Sequence, residues 1–298
     1  MRNRGYTYRA QVGPGDVGRT VLEYLAAAYR HTGAEGWRGR VAGGEVEVDG
    51  ATAAPGDLLR PGAWVAWHRP PWDEPEVPRN FSVLLEDDAV VAVAKPSGLP
   101  TAPAGGFLEH TLLAFVRAVY PEAAPMHRLG RATSGVVLFA REPAARAALQ
   151  EAFRARRIEK RYRALCVGAP ASDVFTVEAP IGPVPHPLLG TVHAASSTGK
   201  QARSRVSVLE RREGTSLLAV DIDTGRPHQI RIHLAHAGHP LAGDPLYGPG
   251  GMPLPGSRAL PGDPGYLLHA ERLGFSHPTT GLWTVVSAPC PPPLTTTR

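Results

Sequence analysis

A chain of 298 residues, 43% of them hydrophobic, can bury one large core or two unequal ones, which excludes a wholly disordered protein. Its two cysteines, Cys166 and Cys290, argue against a disulfide framework and a structural zinc site. The formal charge of +5, carried by arginine far more than by lysine, tilts the choice of partner towards a polyanion.

The opening MRNRGYTYRA lacks the apolar core of a signal peptide, and no apolar run approaches the roughly 20 residues that span a bilayer. The expectation is therefore a soluble, cytoplasmic protein without a membrane partner. Asp16 reads as the cap of a helix with Val17, Val21, Leu25 and Ala28 on one face, ending near residues 31–33. Alternating Val46 and Val48, then Trp64, Val65 and Ala66 after the turn at Pro61 and Gly62, predict a small hairpin. This helix and hairpin resemble the small RNA-binding module found in a ribosomal protein and at the front of many RNA-modifying enzymes. Too many prolines fall in residues 68–78 for helix or central strand. The chain is accordingly divided into a small N-terminal domain, 1–70, a linker, 71–78, and a larger domain, 79–298.

In the larger domain, 81–85 and 89–94 read as a hairpin that delivers the tight loop KPSGLPT at 95–101. Thr111 caps a predicted helix bearing Leu112, Phe115, Val116 and Val119, and Pro143 opens another that runs to about Arg157. Residues 159–168 read as a strand carrying Tyr162 among three cations, 180–200 as a loose hairpin, and 201–209 with 216–223 as paired strands. Gly and Pro dominate 243–265, the closing strands are 266–275 and 283–287, and the tail PPPLTTTR is expected to be disordered.

Two segments concentrate polar chemistry. In HRLGRATSGVVLFAR, 127–141, three basic residues and two hydroxyls precede a β-branched apolar run, which puts a polar loop at the end of a core strand. In TGRPHQIRIHLAHAGHP, 224–240, strand alternation would set Gln229, Arg231 and His233 on one face and Ile230, Ile232 and Leu234 on the other. Arg226 and Arg231 could then both face an anion, for which arginine is the usual choice.

These segments, with RYRALCVG (161–168), GKQARSRVSVLE (199–210), the continuation to GDPLYG at 248 and LLHAERLGFSHP (267–278), resemble the RluA-type RNA pseudouridine synthases. The KPSGLP loop fits the same family, and the likeness spans about residues 78–290. It implies an α+β fold in which a mixed, largely antiparallel sheet with flanking helices carries a central basic cleft. RNA is the implied partner, a monomer the expected state, and no metal or organic cofactor is implied. Family members use one aspartate immediately after His-Arg-Leu, and here that position is Gly130, which can supply neither nucleophile nor base. By resemblance Tyr162 stacks on the target base, Arg231 pairs with the missing aspartate and Leu268 lines the uracil pocket. His127, Arg128 and Arg131 would face RNA phosphate, with Thr133, Arg226, His228 and Gln229 completing the substrate site.

Three readings follow. One is an active synthase that has recruited another carboxylate, Asp223 being nearest by sequence. Another is a binding protein that keeps the uridine cleft without the chemistry. A metal-dependent hydrolase using His233, His236 and His239 is disfavoured, because no acidic ligand shares a face with them.

Overall fold

The computed structural model describes residues 2–29 and 32–297. They form two compact units, Met1–Glu74 with His186–Gly190, and Pro75–Pro185 with Thr191–Arg298.

The first unit contains β1 (Tyr6–Gln11), α1 (Val21–Ala28), α2 (Gly33–Ala42), β2 (Val46–Val48), β3 (Ala51–Thr52) and β4 (Trp64–Arg69). Its antiparallel sheet runs β1-β4-β2-β3. Thr20, not Asp16, caps α1: its hydroxyl accepts from the Glu23 amide while the Glu23 carboxylate accepts from the Thr20 amide. Asp16 sits in a preceding 3-10 turn, and Val17 is exposed. The helix stops at Ala28, short of the expected end near residues 31–33, where His31 lies outside the described residues and Gly33 opens α2. Helix α2 was not anticipated, since Gly33, Gly36 and Gly39 disfavour one. Burial overrides that propensity, because Trp37 and Val41, one turn apart, enter the core with Val21, Leu25, Val46 and Trp67.

The second unit continues with β5 (Ser82–Glu86), β6 (Val90–Lys95), α3 (Leu112–Val119), β7 (Ala124–Pro125), β8 (Ser134–Ala140) and α4 (Pro143–Arg154). Then come β9 (Glu159–Val167), β10 (Val174–Val177), β11 (Ile181–His186), β12 (Gly190–Ala195), β13 (Ser204–Arg212), β14 (Thr215–Ile222) and α5 (Gln229–His236). The chain closes with β15 (Tyr247–Gly248), β16 (Met252–Pro253), β17 (Leu268–Ser276) and β18 (Trp283–Ser287). The main sheet runs β10-β13-β14-β9-β17-β8-β6-β5, with β18 on β17 and β7 on β8. Strand β8 is buried on both faces. Val136 and Leu138 meet Ala145 and Leu149 of α4, while Val137 and Phe139 meet Leu112 and Val116 of α3.

Where β8 and β17 run parallel, Ser134 faces His269 and Gly135 faces Ala270. That junction joins the loop before β8 to the LLHA segment. It requires glycine: Gly135 has φ +115°, and a Cβ there would lie 2.2 Å from the Ala270 carbonyl oxygen.

Two expectations are corrected. Residues 229–236 are the helix α5, not a strand, and all of Gln229–Ala235 is buried, so no polar face betrays the helical period. The tail is ordered through Thr297: Leu294 is 1% exposed, and Arg212 donates to the carbonyls of Pro293 and Thr295.

Candidate active site

The loop before β8 is braced by the one after β6. The Lys95 ammonium, 1% exposed, donates to the carbonyls of Pro96, Leu99 and Arg131 at 2.9, 2.6 and 3.2 Å. Burial pulls its pKa down to about 7. Ser97 donates to the Ala132 carbonyl, and Thr101 both donates to Leu129 O and accepts from Leu129 N. Held this way, 130–133 closes a turn in which Thr133 N donates to Gly130 O, with Gly130 exposed at its start.

Behind Gly130 lies Tyr266. A Cβ on Gly130 would stand 3.1 Å from the Tyr266 hydroxyl and 3.5 Å from Thr133 Oγ1. The Tyr266 ring packs on the Arg231 guanidinium, 4.1 Å from its centroid, and Tyr247 packs on the same group at 4.9 Å. Arg231 is itself 2% exposed and spends its donors within the fold. Nε and Nη2 make a bidentate pair with Asp244, both at 2.7 Å, and Nη1 donates to Pro261 O. Asp244 also accepts from the amides of Leu246 and Tyr247.

Asp223, expected as the replacement carboxylate, is not the partner of Arg231. Asp223 is half-exposed and pairs with Arg205 at 3.1 Å, with Arg203 beyond at 3.9 Å, while Arg231 has its partner in Asp244. Asp223 adjoins the TGR turn in sequence and follows the end of β14, on a different set of arginines from Arg231.

Ala132, Tyr266 and Leu268 share one apolar cluster, against which Tyr162 packs. Tyr162 lies mid-sheet on β9 between Val220 and Ala270, and burial raises its hydroxyl to about 12. Arg128 is exposed and has no ion-pair partner among the described residues. Half-buried Arg226 donates to Gln201 O.

Other expected phosphate or substrate ligands turn inward. His127 accepts the Leu138 amide through Nε2 and stacks on Phe153; burial, then nearby Lys160, push its pKa down to about 4. With Nε2 taken up by the Leu138 amide and the ring on Phe153, that nitrogen is spent within the fold and is not free to donate to phosphate. Arg131 is occupied by Gly262 O and Asp263. Gln229 is a brace for the TGR turn, accepting from Thr224 Oγ1 and the Arg226 amide and donating to Arg203 O and Ser204 Oγ. His228 holds φ +55° and bonds to the Tyr247 hydroxyl, which itself donates to His193 O. Its pKa falls to about 3, through burial first and the Arg231 charge second.

The comparisons decide what this assembly is. The sequence profile described as RNA pseudouridylate synthase matches residues 89–236. An RNA pseudouridine synthase of Synechocystis is 43% identical over 93% of this chain and 96% of its own length. The chain belongs to the RNA pseudouridylate synthase family. RNA pseudouridine synthase 5 of Oryza sativa is 38% identical over 97% of this synthase and 88% of itself. The solved human RNA pseudouridylate synthase domain containing 1 matches with a TM-score of 0.58 and 26% identity, over 75% of this synthase and 89% of that chain.

The family is one of RNA pseudouridylate synthases, an isomerase class. His233, His236 and His239 of the synthase turn to Ala179 O with Ser204, to Gly250 O and to Val167 O respectively, which leaves them no shared point for a metal. Among the described residues no helix is long and apolar enough to cross a membrane.

Sequence reasoning missed three things: Asp244 as the partner of Arg231, Tyr266 beside Gly130, and the bracing by Lys95, Ser97 and Thr101. Asp244 could have been found, because it sits in the GDPLYG of the quoted segment. Tyr266 carried no local signal.

Proposed function

We propose that this synthase converts uridine to pseudouridine in a structured RNA, ribosomal or transfer, as a monomer, with Gly130 in place of a reactive carboxylate. The carrying observation is that an exposed glycine stands over an aromatic and apolar wall built from three separate segments. Tyr162, Tyr266 and Leu268 contribute its apolar surface, and Ala132 closes it from the Gly130 loop.

A flipped base needs such a wall. Stacking on an aromatic ring contributes roughly 1–3 kcal/mol, and a base must leave its helix before a buried cleft can take it. Exposed Arg128 and half-buried Arg226 supply positive charge for the backbone. The isomerisation breaks the bond from C1′ to N1, turns the uracil and joins C1′ to C5, with the C5 proton lost and N1 protonated. For that turn the pocket must hold the free base in place, which the Tyr162 and Leu268 surfaces do by contact.

The vacancy at 130 favours a second reading, a protein that binds uridine without reacting. The two are separated by incubating the chain with total RNA from a strain lacking its gene and counting pseudouridine by mass spectrometry. New pseudouridine at stoichiometric or greater yield supports the synthase. None, together with retained salt-sensitive RNA binding, supports the second reading.

A further inference from the structure

We propose that the Tyr266 hydroxyl is the polar group that this cleft presents to the target nucleotide, standing in for a side chain at position 130. The inference rests on the synthase reading above and adds a residue to it.

Position 130 is where the loop opens to solvent, and the first atom that a side chain there would meet is Tyr266 Oη, at 3.1 Å from the Cβ. The other groups nearby are spent. Arg231 gives Nε and Nη2 to Asp244 and Nη1 to Pro261 O, and Asp244 divides its oxygens between that guanidinium and two backbone amides. Thr133 and Tyr266 are each 4% exposed, and their hydroxyls meet at 3.4 Å, with the shorter threonine side chain lying behind the phenol as seen from position 130, 3.5 against 3.1 Å from the Cβ.

That long contact uses little of what a phenol offers, which is one donor and two acceptor positions. The hydroxyl can thus donate to a uracil carbonyl or accept from a ribose hydroxyl. Its aim is fixed from behind, because the ring lies against the Arg231 guanidinium and is held in the cluster with Leu268 and Ala132. The same tyrosine also forms a wall of a cavity of about 450 Å³ with Lys95, Ser97, Ser134 and Leu268, so space adjoins the ring. A side chain at 130 and a tyrosine at 266 compete for one volume. Glycine at 130 leaves no side chain between the opening and this hydroxyl, whose residue is otherwise 4% exposed.

Tyr266→Phe removes the oxygen and keeps the ring on Arg231. Wild type, Tyr266→Phe and a surface control, Arg154→Gln, are assayed on total RNA from the deletion strain, with melting temperatures alongside. In parallel, transcribed ribosomal RNA carrying 4-thiouridine is photocrosslinked to wild type and the attachment point is mapped by peptide mass spectrometry. A tenfold or greater loss in kcat for Tyr266→Phe, at unchanged melting temperature and with Arg154→Gln at wild-type rate, is the expected result. An active wild type with Tyr266→Phe within twofold of it overturns the proposal and leaves the synthase reading intact. An inactive wild type removes the synthase reading, and the crosslink then decides. Attachment within residues 260–270 that unlabelled RNA competes away upholds the contact, and its absence there overturns it.

Discussion

Arg231 and Asp244 form a bidentate pair at 2.7 Å on both arms, with side chains only 2% and 1% exposed. The pair ties α5 to the turn that precedes β15, and it brings Tyr247 and Tyr266 onto the two aromatic contacts of one guanidinium. Its role is therefore to set the position of the cleft wall, and the guanidinium is held by the fold from every side that has a donor.

Asp244→Asn is expected to lower stability by about 3–5 kcal/mol, the cost of leaving one charge of a buried pair without its partner. The comparison is Asp223→Asn, whose exposed pairs with Arg203 and Arg205 are worth less than about 1 kcal/mol. Urea midpoints of the two variants check this. Equal midpoints would mean that the buried pair adds no more than a surface one.

Gly135→Ala attacks the junction of β8 and β17. The residue has φ +115°, and its Cβ would fall 2.2 Å from Ala270 O and 2.6 Å from both Ala270 C and N, all backbone atoms of a paired strand. Neither strand can yield without breaking the sheet, so a loss of about 4 kcal/mol or more is expected, at the far end of single substitutions. Gly262→Ala, whose Cβ would meet Arg131 no closer than 3.9 Å, should stay within about 0.5 kcal/mol. Soluble Gly135→Ala protein melting at the wild-type temperature would refute the constraint.

Elements with a strong local signal, a short β-branched apolar run, a capping threonine or a proline at a helix start, were legible in the sequence. The runs ending in Lys95 and Ala140, the Thr111 cap and the Pro143 start all appear as strands or helices where their residues suggest. Helix α5 was not legible, because a segment buried all round has no contrast between faces: QIRIHL satisfies a two-residue alternation while its burial comes from contacts on every side. Helix α2 was hidden by its glycines. The site divides in the same way. The loop with Gly130 lay in a segment of strong local character and Tyr162 and Leu268 were assigned through the family resemblance, whereas the pairing of Arg231 with Asp244 depends on a turn thirteen residues on that folds back over α5. Tyr266 reaches Gly130 only through the parallel junction of β8 and β17, a contact across more than 130 residues that no local pattern records.

The histidines predict the response to acid. Burial lowers the pKa of His127 to about 4 and of His228 to about 3, and lowers those of His233 and His269 as well. In each the folded value lies below the unfolded one near 6.5, so the unfolded chain binds more protons between them. Their contribution is complete above the unfolded value and is lost as pH falls from there towards the folded values. The urea midpoint should accordingly drop steadily from pH 7 to pH 5, a window in which carboxylates contribute little. A midpoint flat across that range would show these imidazoles to be exposed and freely titrating.

The last prediction concerns the C-terminal segment, whose prolines and threonines read as a free tail. Its Leu294 is 1% exposed and lines the 450 Å³ cavity with Tyr266 and Leu268, while Arg212 donates to the carbonyls of Pro293 and Thr295 and Glu210 accepts from Thr297. These contacts differ in kind. Leucine burial is worth roughly 1.5–3 kcal/mol, whereas hydrogen bonds at an exposed chain end exchange readily with water and return little. Removal of residues 292–298 should therefore cost about 2–3 kcal/mol, Leu294→Ala should reproduce most of that loss, and Thr297→Ala should be close to neutral. The three are compared by urea unfolding at one pH. If truncation and Leu294→Ala both match wild type, the segment does not pack in solution. If truncation alone is costly, the backbone contacts of Arg212 carry the stability and the leucine does not.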